Sequence, residues 1–335
     1  MRSEQKKEPR GENPGPGHRR MFLRAIALFV CAAIFALAFS GCEFFPTNAS
    51  TLGGNKYAVV VGINDYINGS DLNYCVADAE SMEKMLEDAG WTVNLITAEP
   101  DEAIKKNATK SAIETALKSV PADTTTFLFY YSGHGSIDYS DDAYIMPSDA
   151  TTSSYSSLIS ATEFSGWLDS VTATNKSVIL DSCYSGGFVD AGDSVDSITD
   201  VGVWYPDGIY AIMQTSTAAD MFFRFGELLA QNAAASSTNP STAPLVISAA
   251  GWAEESAEPL PTDNPNVGHG FFTYYFLDAA AAGTNGHMKG DSDGDGVLSC
   301  IEAYDYAKNA LEQANYGYLP HITGGLRDFA LIDNR

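Results

Sequence analysis

Two short motifs contain a histidine and a cysteine that could act together. The motif SGHG at residues 132–135 includes His134, and the motif DSC at residues 181–183 includes Cys183. An imidazole can take the proton of a thiol, and the resulting imidazolium stabilises the thiolate, so the pKa of the cysteine falls from its free value of about 8.5. This pair of residue types therefore predicts a nucleophile for acyl transfer.

A second motif has the chemistry of a metal site. Residues 291–302, DSDGDGVLSCIE, match the calcium-loop pattern D-x-[DN]-x-[DN]-G-x5-E at every position. Gly296 allows the turn, and one such loop is expected to fix local structure rather than to sense calcium levels. The alternative is an acidic, solvated loop. The predicted ligands are the side chains of Asp291, Asp293, Asp295, Ser299 (directly or through water) and Glu302, with the carbonyl of Val297.

Short apolar runs alternate with helical patterns along the chain, which predicts a sheet covered on both faces. Ligands collect beyond the carboxyl ends of parallel strands, so His134 and Cys183 share one edge if their strands are neighbours. The predicted strands are Tyr57–Ile63, Trp91–Ile96, Thr126–Tyr131, Lys176–Leu180 and Pro244–Ser248, and the clearest helices are Asp78–Ala89 and Thr109–Val120.

The motifs resemble those of the caspase-like cysteine peptidases, and within them the bacterial metacaspase-like members. The resemblance extends over roughly residues 56–331. It implies an α/β fold, a caspase-like three-layer sandwich whose mostly parallel central sheet has helices on both faces. The segments that carry it are YAVVVGINDY (57–66), YYSGHG (130–135), ILDSCYSGG (179–187) and GHGFFTY (268–274).

The resemblance also implies roles for single residues. Cys183 is the expected nucleophile and His134 the general base and acid. The backbone N–H groups of Gly135 and Cys183 are the expected oxyanion hole, which stabilises charge on the attacked carbonyl oxygen. Asp78 and Asp181 stand where metacaspases place the acids that bind an Arg or Lys side chain before the scissile bond, the P1 residue.

Two further observations concern specificity and metal. Caspases that recognise aspartate use arginines, and after the N-terminal segment this chain has only Arg224 and Arg327 before its last residue. Metacaspases also have an activating calcium site, for which Asp149 and Asp190 are in matching positions. The acidic pair expected near residues 159–163 is reduced to Glu163, so activation by calcium at this second site is not expected.

Composition limits the partners of the chain. The sequence has 43 acidic and 19 basic residues, a formal net charge of −24 and a pI near 4.3. A surface this acidic repels phosphate backbones, so nucleic acid is excluded as an expected partner, whereas multivalent cations are favoured. Five scattered cysteines do not indicate a disulfide framework.

The N-terminal segment predicts export. A basic stretch leads into an apolar run that ends in Phe39-Ser40-Gly41-Cys42, which resembles the lipobox of bacterial lipoproteins and predicts lipidation of Cys42. An ordinary signal peptide is the alternative. The predicted organisation is a signal peptide (1–42), a tether (43–55), a large part (56–230), a low-complexity loop (231–243) and a small part (244–335).

The sequence thus predicts an exported cysteine endopeptidase, anchored in the bacterial cell envelope by lipid, that cleaves protein or peptide substrates after Arg or Lys and binds calcium. The alternative from another class is a catalytically silent, calcium-binding scaffold that keeps the fold for protein interactions. A cysteine esterase of the α/β-hydrolase type is disfavoured, because Asp181 and Ser182 replace the start of its G-x-S/C-x-G elbow.

Overall fold

The structure is a computed structural model that divides the chain into two units, Met1–Asn48 and Ala49–Arg335, and the described residues all belong to the second unit. The predicted signal peptide, the low-complexity loop and Cys42 lie outside the described residues. Within the part that is described, no helix combines the length and apolar character needed to cross a membrane. The described residues are 54–69, 71–99, 108–137, 143–151, 154–181, 229, 244–249, 268–284, 286–315, 320–324 and 328–335.

All of the strands and helices predicted from the sequence are present, with small differences at their ends. The strands are β1 (Asn55–Ile63), β2 (Thr92–Ala98), β3 (Thr124–Ser132), β4 (Gly135–Ile137), β5 (Ala143–Ile145), β6 (Ile159–Ser160), β7 (Asn175–Asp181), β8 (Leu245–Ser248), β9 (Val297–Ser299), β10 (His321–Gly324) and β11 (Ala330–Asp333). The helices are α1 (Cys75–Asp88), α2 (Lys110–Lys118), α3 (Ala161–Leu168), α4 (Phe271–Asp278) and α5 (Cys300–Ala314).

Six strands form the central sheet, in the order β10-β8-β7-β3-β1-β2. Every neighbouring pair is parallel except β8 and β10, which are antiparallel. Strand β1 shows why the sheet is covered on both sides. Val59 and Val61 are buried in one apolar cluster, whereas the alternate residues Ala58 and Val60 are buried in another. A strand that is apolar on both faces requires helices on both faces.

The helices divide between the two faces as this pattern requires. On one face, α2 and α3 contribute Ile113 and Phe164 to the first cluster. On the other face, α1, α4 and α5 contribute Met82, Phe272 and Leu311 to the second. The expected three-layer α/β sandwich is confirmed.

Two small sheets are attached to this body. Strands β4, β5 and β6 form an antiparallel sheet that begins directly after His134. Strands β9 and β11 form an antiparallel pair, in which Val297 is opposite Asp333 and Leu298 is opposite Ile332. The first sheet extends the predicted catalytic edge, and the second connects the predicted calcium loop to the C-terminal strand.

Candidate active site

The two strands that precede His134 and Cys183 are parallel neighbours, as the sequence analysis required. Ser132, the last residue of β3, is the register partner of Asp181, the last residue of β7. The pairing continues one step further, because the N–H of Gly133 donates to the carbonyl of Asp181 at 3.3 Å. His134 and Cys183 each follow these register partners by two residues. Cys183 itself lies outside the described residues.

His134 is held firmly by its backbone and is only 5% exposed. Its N–H donates to the hydroxyl of Tyr66 at 2.7 Å, and its ring lies 4.6 Å from the Tyr66 ring, centroid to centroid. Its carbonyl accepts from the hydroxyl of Tyr131 at 2.6 Å and from the N–H of Met146 at 3.0 Å. These contacts fix the position of the histidine before any substrate binds.

Gly133 is required here because two tyrosine hydroxyls approach its backbone. A Cβ atom at residue 133 would lie 2.6 Å from the hydroxyl oxygens of both Tyr66 and Tyr131, closer than real Cβ atoms come. Burial, the largest cause, raises the pKa of Tyr66 well above its ordinary value of 10.0. The Tyr66 hydroxyl therefore keeps its proton, as an acceptor for the His134 N–H and a neighbour of the Tyr131 hydroxyl.

Asp78 lies near the start of α1 and is fully buried. Its Oδ2 atom accepts from the Ser132 hydroxyl at 3.0 Å, and its Oδ1 atom accepts from the N–H of Gly270 at 3.1 Å. Nδ1 of His269 is 3.0 Å from the same Oδ1. Burial raises the pKa of Asp78, and the hydrogen bonds from His269, Ser132 and Gly270 oppose that shift.

Asp181 is also fully buried, and its partner is on α4. Thr273 donates both its N–H, at 3.2 Å, and its hydroxyl to Oδ2 of Asp181. The Thr273 oxygen is in turn 2.6 Å from the hydroxyl of Tyr130. Since Thr273 uses its only hydroxyl proton for the carboxylate, Tyr130 must be the donor to Thr273. A chain of oriented hydrogen bonds therefore ends on the charge of Asp181.

The loop at residues 291–302 brings three of its predicted ligands close together. One oxygen each of Asp291, Asp293 and Glu302 lie within 4.8 Å of one another, so these three carboxylates could hold a metal ion together. Gly296 has a φ of +85°, a left-handed conformation that a glycine adopts without strain. Oxygen donors around a tight turn suit a hard cation such as calcium, so the residues fit the expected ion.

The ends of this loop are anchored to the body of the protein. The Ser299 hydroxyl accepts from the N–H of Glu302, and the Glu302 carboxylate accepts from the N–H of Ser299, so a capping box starts α5 as the calcium loop ends. The carbonyl of Leu331, in the strand paired with β9, accepts from the indole N–H of Trp91 at 2.9 Å. The loop is therefore attached to the start of β2.

Comparison with known proteins places this architecture in a family. A family model described as a caspase domain matches residues 55–295. The chain belongs to the caspase-domain family. Over 151 residues it is 28% identical to Metacaspase-9 of Arabidopsis thaliana, covering 40% of this chain and 45% of that protein. Over 108 residues it is 29% identical to Metacaspase-1 of Scheffersomyces stipitis, covering 29% of this chain and 27% of that protein.

The chain thus spans less than half the length of the curated relatives that it matches. A crystal structure of a Geobacter sulfurreducens protein shares the fold, with a TM-score of 0.52 and 18% identity over 84% of this chain and 97% of that one. The family and the caspase fold expected from the motifs are both confirmed. These relatives support membership of the caspase-like cysteine peptidases.

Sequence reasoning missed the partners of the two acids of this caspase-domain protein. His269 and Thr273 belong to the GHGFFTY segment, which served only as a family signature, yet they contact Asp78 and Asp181 directly. The contact between His269 and Asp78 joins residues 191 positions apart. The available signal was the match of this segment to the family motifs. A family motif so far in sequence from His134 and Cys183 indicates that the fold brings it near them.

The second calcium site implied by the family resemblance does not fit the described residues. Asp190 lies outside them, and one lysine engages both Asp149 and Glu163. The backbone N–H of Lys110 donates to Oδ1 of Asp149 at 2.9 Å, and the Lys110 ammonium forms an ion pair with Glu163 at 2.9 Å. The one acid that remains near residues 159–163 is thus already paired with a positive charge of the chain itself.

Proposed function

We propose that this caspase-domain protein is a cysteine endopeptidase in which Cys183 and His134 form the catalytic dyad. The observation that carries the proposal is the register of Ser132 with Asp181, because it brings the starts of both motifs to one edge of the sheet. His134 and Cys183 each follow that register pair by two residues, so we expect both to lie beyond the same edge of the sheet.

In the proposed reaction, His134 takes the proton of the Cys183 thiol, and the thiolate attacks the carbonyl carbon of the scissile peptide. His134 then gives that proton to the leaving amine as the C–N bond breaks, which leaves a thioester on Cys183. A water molecule, deprotonated by His134, attacks the thioester and releases the acid product with the restored thiol. The fixed backbone of His134 supports this double role, since the same ring must serve both steps.

The proposed oxyanion hole uses the N–H of Gly135 together with that of Cys183. The N–H of Met146 donates to the carbonyl of His134, so Gly135 and Ile145 are a pair without a mutual hydrogen bond in the small antiparallel sheet. In such a pair the N–H points away from the partner strand. The Gly135 N–H is therefore not used by β5, which supports its assignment as a donor to substrate.

The proposed P1 preference for Arg or Lys depends on Asp78 and Asp181. Both carboxyl groups are completely buried beside the proposed catalytic edge, and a cationic P1 side chain would favour their charged forms and pair with them. Thr273 donates two hydrogen bonds to Asp181, which stabilise its charged form. Replacement of Asp181 by Asn should lower kcat/KM for Arg substrates by at least about 10-fold, whereas Asp88→Asn, at the exposed end of α1, should not.

An activity-based probe tests the whole proposal. A biotinylated peptidyl-Arg chloromethylketone should label the purified protein at Cys183, and the Cys183→Ala variant should not be labelled. The buried Cys75 and Cys300 provide an internal control, since burial raises the pKa of the Cys300 thiol well above its ordinary value and keeps it unreactive. Peptide mapping identifies the labelled residue.

The outcomes separate the two functional classes. Labelling at Cys183 by the Arg probe, and not by a matched Asp probe, supports the peptidase and its specificity. No labelling by any peptidyl probe, with the calcium response intact, supports the catalytically silent calcium-binding scaffold instead. Labelling by the Asp probe alone would show that Asp78 and Asp181 have another role.

Calcium is the proposed cofactor, bound by the loop at residues 291–302. Asp291, Asp293 and Glu302 are the ligands that the close approach of carboxylate oxygens supports, with Asp295, Ser299 and the Val297 carbonyl completing the set. A bound calcium ion would offset part of the negative charge of the clustered carboxylates. These residues would then hold the start of α5 and the β9–β11 pair together.

Export and lipid anchoring complete the proposal, and their support is the sequence alone. Cys42 would be lipidated and would anchor the mature protein in the bacterial cell envelope through the tether. Metabolic labelling with palmitate in a bacterial host tests this. The parent should incorporate label in the membrane fraction and Cys42→Ser should not, whereas an unlabelled, released parent would indicate an ordinary signal peptide.

A further inference from the structure

The ammonium group of Lys110 is enclosed by oxygen atoms. Its Nζ donates to the carbonyls of Ser156 at 2.9 Å and Leu158 at 2.6 Å, and to Oε2 of Glu163 at 3.0 Å. The Lys110 side chain is only 21% exposed. An ammonium has three N–H donors, so the two carbonyls and the carboxylate satisfy all of them.

We propose that Lys110 is a built-in cation that links α2 to residues 156–163 and fixes the small sheet that follows His134. The oxygen atoms around Nζ are two backbone carbonyls and a carboxylate, which are ligand types that hard cations also use. Because Lys110 comes from α2 and its acceptors from residues 156–163, the charge joins two separate segments. We call Lys110 and its three oxygen acceptors the charge site, and its assignment depends only on these contacts. The role of the charge site toward His134 rests on the proposed function.

The link from this charge site to His134 is continuous. Glu163, which pairs with Lys110, also forms a capping box with Ser160 at the start of α3. Ser160 lies in β6 and is the register partner of Tyr144 in β5. Strand β5 pairs with β4, and the residue after it, Met146, donates its N–H to the carbonyl of His134. Lys110 is therefore a positioning residue at the far end of the sheet from the histidine.

The alternative is an ordinary surface ion pair with no effect beyond its own residues. Surface pairs contribute about 0–1 kcal/mol, and Glu163 is itself 44% exposed. The two carbonyl acceptors distinguish Lys110 from that case, since removal of the ammonium leaves the part-buried carbonyl of Leu158 without this donor. Lys118 is a matched control, because it is on the same helix and pairs with Glu114 but is 53% exposed.

Chemical rescue in the Cys183→Ala background tests the charge site without any need for activity. Lys110→Ala should lower the midpoint of thermal unfolding by at least about 3 °C, the shift expected for about 1 kcal/mol in a domain of this size, and Lys118→Ala by less. Ethylammonium chloride should restore at least half of the loss in Lys110→Ala. Tetramethylammonium at the same ionic strength should not, because it has no N–H to donate.

Equal unfolding midpoints for the two lysine variants, or equal effects of the two ammonium salts, would overturn the assignment. If Lys110→Ala does not fold, Lys110→Arg and Lys110→Gln replace it. Arg keeps the charge and should retain most of the thermal stability, whereas Gln should lose it, and equal loss in both would also count against a charge site.

Activity of the protein with Cys183 intact tests the role toward His134. Lys110→Ala should lower kcat for an Arg substrate at least about 10-fold with KM little changed, and ethylammonium should restore kcat, because substrate contacts are unaffected while His134 loses its fixed position. Rescue of stability without rescue of kcat would limit Lys110 to a structural role. An inactive parent would instead count against the proposed peptidase and leave the rescue result in Cys183→Ala to decide the charge site.

Discussion

Asp78 and His269 form a hydrogen-bonded pair, with 3.0 Å between Oδ1 of the aspartate and Nδ1 of the histidine. Asp78 is on α1, the first helix among the described residues, and His269 directly precedes the Gly270 N-cap of α4. The pair therefore joins the two predicted parts of the sequence. The aspartate is completely buried, and the histidine side chain is 20% exposed. A carboxylate in this position has consequences for both stability and substrate binding.

The stability of the protein should depend on pH through Asp78. Burial raises the folded-state pKa of Asp78 above the ordinary value of 3.8, so the folded state binds its proton more firmly than the unfolded state. The contribution of Asp78 to the free energy of unfolding is therefore complete below pH 3.8 and is lost as pH rises through the folded-state pKa. Asparagine does not titrate, so the unfolding midpoint of Asp78→Asn should increase relative to that of the parent as pH rises from 3.8 through the folded-state pKa.

Thermal unfolding of both proteins from about pH 3 to pH 7 measures the difference. Asp88→Asn is the control, since Asp88 is at the other end of the same helix and its side chain is 68% exposed. A constant difference between Asp78→Asn and the parent at every pH would contradict the prediction.

Thr273 should stabilise the fold through the hydrogen bonds on either side of its hydroxyl. Thr273→Val keeps the shape but removes the donor to Asp181 and the acceptor for Tyr130, at a cost of about 1–3 kcal/mol in the free energy of unfolding. In a double-mutant cycle with Tyr130→Phe, the two losses should not add, because both changes break the same contact. Urea unfolding measures both quantities.

The control for Thr273 is Thr115→Val on the exposed side of α2, which should change the unfolding free energy by less than about 0.5 kcal/mol. Strictly additive losses in the cycle would mean that Tyr130 and Thr273 contribute separately and that the hydrogen-bond chain to Asp181 has no energetic weight.

The fold was predictable where the necessary information is local in the sequence. The run Tyr57–Ile63 is apolar at every position but Gly62, and only a strand covered on both faces can bury all of it. The motif of the proposed calcium loop is equally local, since its predicted ligands lie within twelve consecutive residues and its glycines mark the turn. The sequence did not determine which strands are neighbours, and the shared edge of His134 and Cys183 was conditional on the pairing of β3 with β7.

The remaining contacts could not be predicted because they join distant residues or use the backbone. No side-chain pattern shows that Lys110 meets the carbonyls of Ser156 and Leu158, because every residue has a carbonyl. Strand β9, within the proposed calcium loop, pairs with β11 near the C-terminus. The sequence around β11 contains no second calcium-loop motif that would predict this pairing. Single-sequence reasoning identifies the chemistry of a residue more readily than its distant partner.

Calcium should stabilise the folded protein through Glu302. Binding to the native state alone adds about 2.7 kcal/mol at a calcium concentration 100 times Kd, so the parent should unfold at a higher temperature with calcium than with a chelator. Glu302→Gln should abolish most of this difference, because the amide lacks the charge of the bidentate carboxylate. Glutamine can still accept the hydrogen bond of the capping box, so the start of α5 should be preserved.

Glu312→Gln, on the exposed end of the same helix, is the control for Glu302 and should keep the full calcium response. Calorimetry with and without calcium, together with isothermal titration, gives the shift and the stoichiometry. A parent indifferent to calcium would rule out the site, and more than one ion per chain would contradict a single site at residues 291–302.

Self-cleavage, if the proposed P1 preference is correct, has one position between the two parts of the chain. Arg224 is the only basic residue between Lys176 and Lys289, and it precedes the low-complexity loop at residues 231–243. These residues lie outside the described part of the chain, so the prediction rests on specificity alone.

Mass spectrometry of the purified parent should show a cut after Arg224 that is absent in Cys183→Ala. The variant Arg224→Gln should remain a single chain, because a neutral P1 side chain cannot pair with Asp181. A cut elsewhere in this span of the parent would contradict the basic P1 preference, whereas a fully active, uncut parent would show that the single chain is the working enzyme.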